Sequence, residues 1–391
     1  MEAPGGAAAV QRPEWLYLFS SNRSPLYSQD ILNVLAAPDG LHYKFRYDEE
    51  YVEDATAQAW ETLQAGTRVL VVFSLQQAAR FQPAVFMPIR LGKLVRTWKL
   101  GTRYFVEFAL EKLVCLPAPD EHNAAHRWVE RFTEDLNTRV AVTPYERSAS
   151  LGNGLPAASE PAPPWDAASE PDLAFERSVE YLSKTETFQA SHFYRVRRLL
   201  RAGDEEPIPT GNDGVLELQA GRTYELELLH SQPSTPPVPR RFLVDVDGAT
   251  LRLIGHRAFD IASRYDQPLL RVLATPAAGI EDRETVIDIR PDEGVTGPTL
   301  SLPVRVVADT TRAATIAGLQ ALALIAVALA GTVAFASHGV RIGVAVAGAL
   351  LAATLQLLGW APLRTPTIPS ASPAAPSAST ATHPPPAPSH S

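Results

Sequence analysis

His42-Tyr43-Lys44-Phe45-Arg46-Tyr47-Asp48 alternates aromatic and polar side chains without a break. Successive strand side chains point to opposite faces, so Tyr43, Phe45 and Tyr47 share one face while His42, Lys44, Arg46 and Asp48 share the other. One buried and one wet face is the mark of an antiparallel strand. Working outward, residues 68–75 contain Val69-Leu70-Val71-Val72-Phe73, apolar on both faces and therefore a central strand. Residues 84–98 and 103–115 read as a hairpin about Lys99-Leu100-Gly101-Thr102, with Pro88 and Gly92 predicting a bulge or bend in its first arm. Residues 15–20 add a short buried strand. Helices are expected from a Ser28 cap with Ile31, Leu32 and Leu35 inward, over 53–63, and over 120–137, where Ala125, Trp128, Val129, Phe132 and Leu136 share a face. Residues 13–138 thus read as an α+β domain, β-rich and barrel-like.

Residues 139–174 turn to Ala, Pro and Ser and repeat Ala-Ala-Ser-Glu-Pro on either side of Trp165, the composition of an inter-domain linker. Between 175 and 308, short strands are predicted at 193–200, 215–218, 223–229, 241–246, 250–254, 269–273, 285–289 and 299–307. Turn signals such as Gly211-Asn212-Asp213-Gly214 and Asp247-Gly248 separate them. Tyr224, Leu226 and Leu228 oppose Glu225 and Glu227. Seven or eight such strands predict an immunoglobulin-like all-β sandwich, although the Cys…Trp…Cys hallmark is absent.

Two uncharged stretches follow, at 313–336 and 342–363. As helices they span about 36 and 33 Å, against a hydrocarbon core of roughly 30 Å. Five residues join them, which predicts an antiparallel transmembrane hairpin. Arg305, Arg312 and Arg364 flank its open end, against Arg341 in the loop. The positive-inside rule then places the domains and the C-terminus in the cytoplasm, at a bacterial inner membrane. Residues 1–12 show no basic leader segment, in keeping with that orientation. In the second span Ala345, Gly348, Ala349, Ala352 and Ala353 form a small-residue stripe suited to close helix packing, within the hairpin or between copies of the chain. Residues 364–391, rich in Pro, Ala and Ser, read as a disordered tail.

The chain has 391 residues, a net charge of −8 and one cysteine. These values exclude a disulfide framework and argue against generic nucleic-acid binding. No phosphate-binding loop, dinucleotide fingerprint or catalytic elbow is present, and no cofactor or metal is implied. Arg90, Lys93, Arg96, Lys99 and Arg103 concentrate five cations around Trp98, an anion or single-stranded nucleic-acid surface or a solvated hairpin neutralised by the nearby Asp48, Glu49, Glu50, Glu53 and Asp54. Arg195, Arg197, Arg198 and Arg201 form the densest basic cluster, but strict alternation divides them between two faces. His122, His126 and Glu130 have ligand spacing on a helix without the glutamate of a zinc protease motif. Cys115 reads as a packed thiol, and Asp245, Asp247 and Asp288 as turn or surface aspartates. The expected function is that of a membrane-anchored, non-enzymatic interaction protein. Its partners are the lipid bilayer, an unidentified protein and a further copy of itself through the membrane helices. A sensor that clusters its hairpins is the sharper version. The rival is a tethered nucleic-acid or anionic-ligand domain, or an enzyme.

Overall fold

The computed structural model describes residues 15–75, 85–117, 122–139, 148–152, 170–188, 191–231, 240–261, 269–275, 282–292 and 296–308. The chain divides into two compact units, Met1–Ala317 and Gly318–Ser391, and all described residues belong to the first. Both expected membrane spans, the stripe from Ala345 to Ala353, Trp165 and the tail lie outside the described residues. Among the described residues no helix is long and apolar enough to cross a membrane.

The N-terminal module is built from β1 (Trp15–Ser21), α1 (Pro25–Ala36), β2 (His42–Asp48), α2 (Asp54–Ala59), β3 (Arg68–Leu75), β4 (Val85–Leu100), β5 (Arg103–Leu113), α3 (His122–Arg139) and β6 (Ala149–Gly152). Its six strands form one open sheet in the order β2-β5-β4-β3-β1-β6. Among the described strands of this module, only β1 and β3 pair in parallel. The alternation of β2 is realised as read: Phe45 and Tyr47 are buried and pair with Val106 and Tyr104 of β5. Register shifts in β4 fall beside Arg90/Gly92 and Leu94/Arg96. Gly92 is required there because an added Cβ would sit 2.7 Å from the Ala109 carbonyl oxygen.

Two local expectations change. Helix α1 starts one turn early, because Pro25 occupies its first position and the Ser24 hydroxyl accepts from the Leu26 amide at 3.3 Å; proline's fixed φ suits that position. Ser28 instead lies inside the helix and donates to the Ser24 carbonyl. Within the 139–174 segment, β6 pairs antiparallel with β1 and closes one edge of the sheet. The same segment's end begins α4 (Pro171–Ser183), which buries Phe175, Val179 and Leu182. Composition alone did not show either element.

The second module is a β-sandwich, with nine strands among the described residues where seven or eight were expected. These are β7 (Phe193–Arg201), β8 (Leu216–Gln219), β9 (Thr223–Ser231), β10 (Arg240–Val246), β11 (Leu251–Ile254), β12 (Ala258–Ile261), β13 (Leu269–Ala274), β14 (Arg283–Pro291) and β15 (Leu300–Val307). The two sheets run β12-β10-β14-β15-β8 and β11-β13-β9-β7. Tyr194 of β7 crosses between them, donating to the carbonyls of Ile289 and Pro298 at 3.2 Å each. Burial pushes its phenol well above the ordinary range.

The modules share one continuous apolar core. At their seam Gln29 donates to the Gly297 carbonyl at 3.1 Å, and the Thr299 amide donates to Asn33 at 2.8 Å. Thr210 reaches the Asp39 carbonyl at 3.0 Å. Gly214, at φ +76°, lies so close to the His42 ring that a Cβ would stand 2.5 Å from it. Only glycine combines that positive φ with that approach.

Candidate functional site

The seam leaves a cavity of about 580 Å³. One wall is β7. Facing it are Pro38 and Asp39, just past the end of α1, the first turn of α4, and the Pro207-Ile208-Pro209 segment. Strict strand alternation would put Arg197 and Arg198 on opposite faces. A register shift between Val196 and Arg198 breaks that alternation, and Arg195, Arg197 and Arg198 all line the cavity. A bulge of this kind re-aims side chains. The expectation that these arginines form no coherent patch is corrected accordingly.

Arg195 is only 3% exposed. Its Nη2 stands 3.4 Å from Asp39 Oδ1, and its Nη1 lies 3.6 Å from Asp172 Oδ1, too far for a hydrogen bond. Among the described residues neither Nε nor Nη1 of Arg195, nor Oδ1 of Asp172, has a hydrogen-bond partner. Burial lowers the Arg195 pKa, against the pull of Asp39 and Asp172. Arg197 meets Asp172 at 2.9 Å, and Arg198 holds Glu227 through two contacts of 2.6 and 3.1 Å. The first turn of α4 lines the same space through Pro171, Asp172 and Leu173, and Pro171 has no amide hydrogen to offer it. Glu170 precedes them and makes no side-chain cap.

Arg90 sits behind this wall and shares Asp39 with Arg195, at 2.5 Å from Nη2. Unlike Arg195 it is fully satisfied. Nη1 donates to the carbonyls of Val34 and Ala37, at 2.6 and 2.7 Å, and Nε donates to Glu111 at 2.7 Å. Two of these carbonyls belong to the C-terminal end of α1, where a cation is favoured. Burial, partly offset by Asp39, pushes Arg90 down to about 10.

Arg90 therefore leaves the hairpin patch expected from the sequence: it is buried, while the other four members are solvated. Lys93 pairs with Glu111 at 2.6 Å, Arg96 with Glu107 at 2.7 Å, Lys99 with Glu49 at 2.7 Å and Arg103 with Asp48 at 3.1 Å. Lys99 also rests on the Tyr104 ring, and Glu49 with Tyr104 raises it to about 12. Trp98 and Phe105 stack at 5.2 Å on the sheet's outer face, with the Arg96 guanidinium 5.0 Å from the indole. The structure thus splits the five cations into one sequestered group and four paired ones.

Other flagged residues take ordinary structural places. Cys115 is half-buried and burial raises its thiol. Asp247 caps its turn through the Ala249 amide and the Thr250 hydroxyl, which lower its pKa. Asp245 pairs with Arg290, and Asp288 accepts from Ser301. Glu130 is exposed on α3, and the side chains of His122 and His126 lie outside those described. No set of three His, Cys, Asp or Glu among the described residues is placed to hold a metal ion. Asp39 and Asp172 escaped the sequence reading, having no motif around them. The one available signal was the arginine density of β7.

No family model matches this chain, and neither does any curated protein. Among solved structures it is similar to the crystal structure of a FixG-related protein from Vibrio parahaemolyticus. That match has 12% identity over 30% of this chain and 96% of the other, with a TM-score of 0.20. A protein of unknown function from Porphyromonas gingivalis W83 matches at 19% identity over 30% of this chain and 47% of the other, with a TM-score of 0.19. Scores this low establish neither fold nor function.

Proposed function

We propose that the chain is a membrane-anchored, non-enzymatic binding protein whose ligand site is the cavity between its two β-rich modules. The single observation behind this reading is the cavity of about 580 Å³ at the seam, one wall of which carries Arg195, a sequestered cation whose Nε and Nη1 have no acceptor. Buried donors are ordinarily satisfied, and an unsatisfied one beside a cavity is a place for a ligand. Its charged lining, Arg195, Arg197 and Arg198 against Asp39, Glu170 and Asp172, is suited to recognition.

On this reading the sandwich is immunoglobulin-like, and the apolar segments at 313–336 and 342–363 anchor both modules at the cytoplasmic face of the inner membrane. The small-residue stripe from Ala345 to Ala353 then packs hairpins together when a ligand is bound. The partner is a protein at that membrane surface, which tethering presents at raised effective concentration.

The test is a thermal-shift screen of the detergent-solubilised full chain against small molecules of varied charge. Leu173→Trp, which fills the cavity from the first turn of α4, is screened in parallel. A compound that stabilises the parent but not the variant supports the reading; stabilisation identical in both proteins overturns it. A second reading rests on the Trp98–Phe105 stack with Arg96 above it, an arrangement suited to unstacked bases. Salt-dependent binding of single-stranded RNA, lost in Trp98→Ala, would favour that rival.

A further inference from the structure

We infer that His192 and His230 form an acid-sensitive latch beneath the seam between the two modules. Both side chains are buried, at 1% and 2% exposure. His192 immediately precedes β7, and His230 lies near the end of β9, in register with Tyr194. His192 Nδ1 stands 3.4 Å from His230 Nε2, and the rings stack at 5.7 Å with 17° between their planes. A neutral imidazole has one donor and one acceptor, so the contact is served when one ring donates to the other. Two added protons would set N–H against N–H and two cations side by side. Even one would place a charge away from water.

Residues 296–299 tie the pair to the seam. The His192 amide donates to the Thr296 carbonyl at 2.9 Å. Gly297 lies so close that an added Cβ would stand 3.2 Å from the His192 carbonyl oxygen and 3.3 Å from the Phe242 ring. That ring in turn meets His192 edge-on at 6.4 Å. On its other side the segment accepts from Gln29 at the Gly297 carbonyl and offers the Thr299 amide to Asn33, both residues of α1. Loosening the histidines therefore loosens two hydrogen bonds that join the modules. Tyr194 shares the buried face but is neutral, its phenol raised by burial. Among charged groups on the surrounding strands, Arg195 of β7 faces Asp39 and Asp172, Glu227 of β9 holds Arg198, and Arg290 of β14 pairs with Asp245. Arg241 of β10 is exposed, and Asp292 follows β14, its amide donating to the Arg241 carbonyl at 2.9 Å. Residues 296–299 carry no charge.

Opening the segment returns both imidazoles to water, where a histidine takes up its proton near about pH 6.5. The open state then binds more protons than the closed one. The latch accordingly holds above that range and weakens as pH falls through it. Between pH 7.5 and 5.5 each histidine released multiplies the opening equilibrium by about ten, and both by about a hundred. Hydrogen–deuterium exchange of the solubilised full chain, corrected for the intrinsic pH dependence of amide exchange, measures this opening. Peptides covering 191–196 and 296–302 should lose protection by about ten- to a hundredfold over that interval, while 97–104 of the β4–β5 hairpin keeps its own. Both latch peptides should also exchange ahead of 69–73 in β3 at every pH. The double variant His192→Gln/His230→Gln should lose the pH dependence, whatever its protection at pH 7.5. Flat protection of the parent, an equal loss at 97–104, or exchange in step with 69–73 each overturns the inference. So does a pH dependence retained in the double variant. Where that variant does not fold, the parent profiles alone decide. A parent profile altered by EDTA also overturns the latch, since it assigns the two nitrogens to a metal ion.

Discussion

The β4–β5 hairpin and the inter-module seam both gather arginines, yet the two regions use them in opposite ways. On the hairpin Lys93, Arg96 and Arg103 are more than half exposed, and each has a carboxylate within 3.1 Å. Water and salt screen those pairs, and they hold little energy. At the seam Arg90 and Arg195 are sequestered and share the single carboxylate of Asp39. A charge taken out of water must find compensation on every donor. Arg90 does so through three carbonyls; Arg195 does not. The lesson is that charge density along a sequence is a poor guide to where charge matters. What matters is how completely each donor is answered after burial.

The contrast can be broken by substitution, measured as chemical denaturation of the solubilised chain. Arg90→Met should cost most, about 3–5 kcal/mol, because it strands buried carbonyls and removes Asp39's closest partner. Gly214→Ala comes next, at about 1–2 kcal/mol for the positive φ alone, with its contact against His42 adding to that. Arg195→Gln should cost less than Arg90→Met, about 1 kcal/mol, since the bonds it loses are long or unmade. Lys93→Ala and Arg103→Ala should each stay below about 1 kcal/mol and shrink further in salt. A hairpin substitution as damaging as Arg90→Met would erase the distinction.

A smaller effect follows from Asp213, whose carboxylate accepts from Arg305 and is held below its ordinary pKa by that bond. Its folded pKa lies below the unfolded one. The stability it contributes is therefore present above the ordinary carboxylate range and disappears as pH falls through the folded value. Asp213→Asn should differ from the parent at pH 6 and match it near pH 2.

Much of the β architecture was legible because half-buried strands write their faces into alternation. His42–Asp48 and Thr223–Ser231 bury the residues that the period-two pattern selects. Three elements were missed for separate reasons. Strand β6 is four residues long in an Ala/Ser context, so its pairing with β1 comes from tertiary contact rather than propensity. Helix α4 begins at a proline inside an Ala/Pro/Ser repeat, which reads as linker. Strand β12 is too short to show a period. The site was less legible still. The Arg195–Arg198 cluster was visible, but a bulge that turns three of its members to one cavity leaves no mark on residue order. Asp39 and Asp172 reach that cavity from segments far apart in the chain. The reverse error concerned Arg90, grouped with hairpin cations by proximity in sequence although the register shift beside it turns the side chain to the end of α1.

Amide hydrogen exchange of the full chain, with and without a compound selected by the Leu173→Trp screen, compares the two regions in one measurement. The account predicts slowed exchange at residues 171–175 and 195–210 and none at 96–105. Protection confined to the 96–105 hairpin, or an unchanged pattern at saturating ligand, would contradict it.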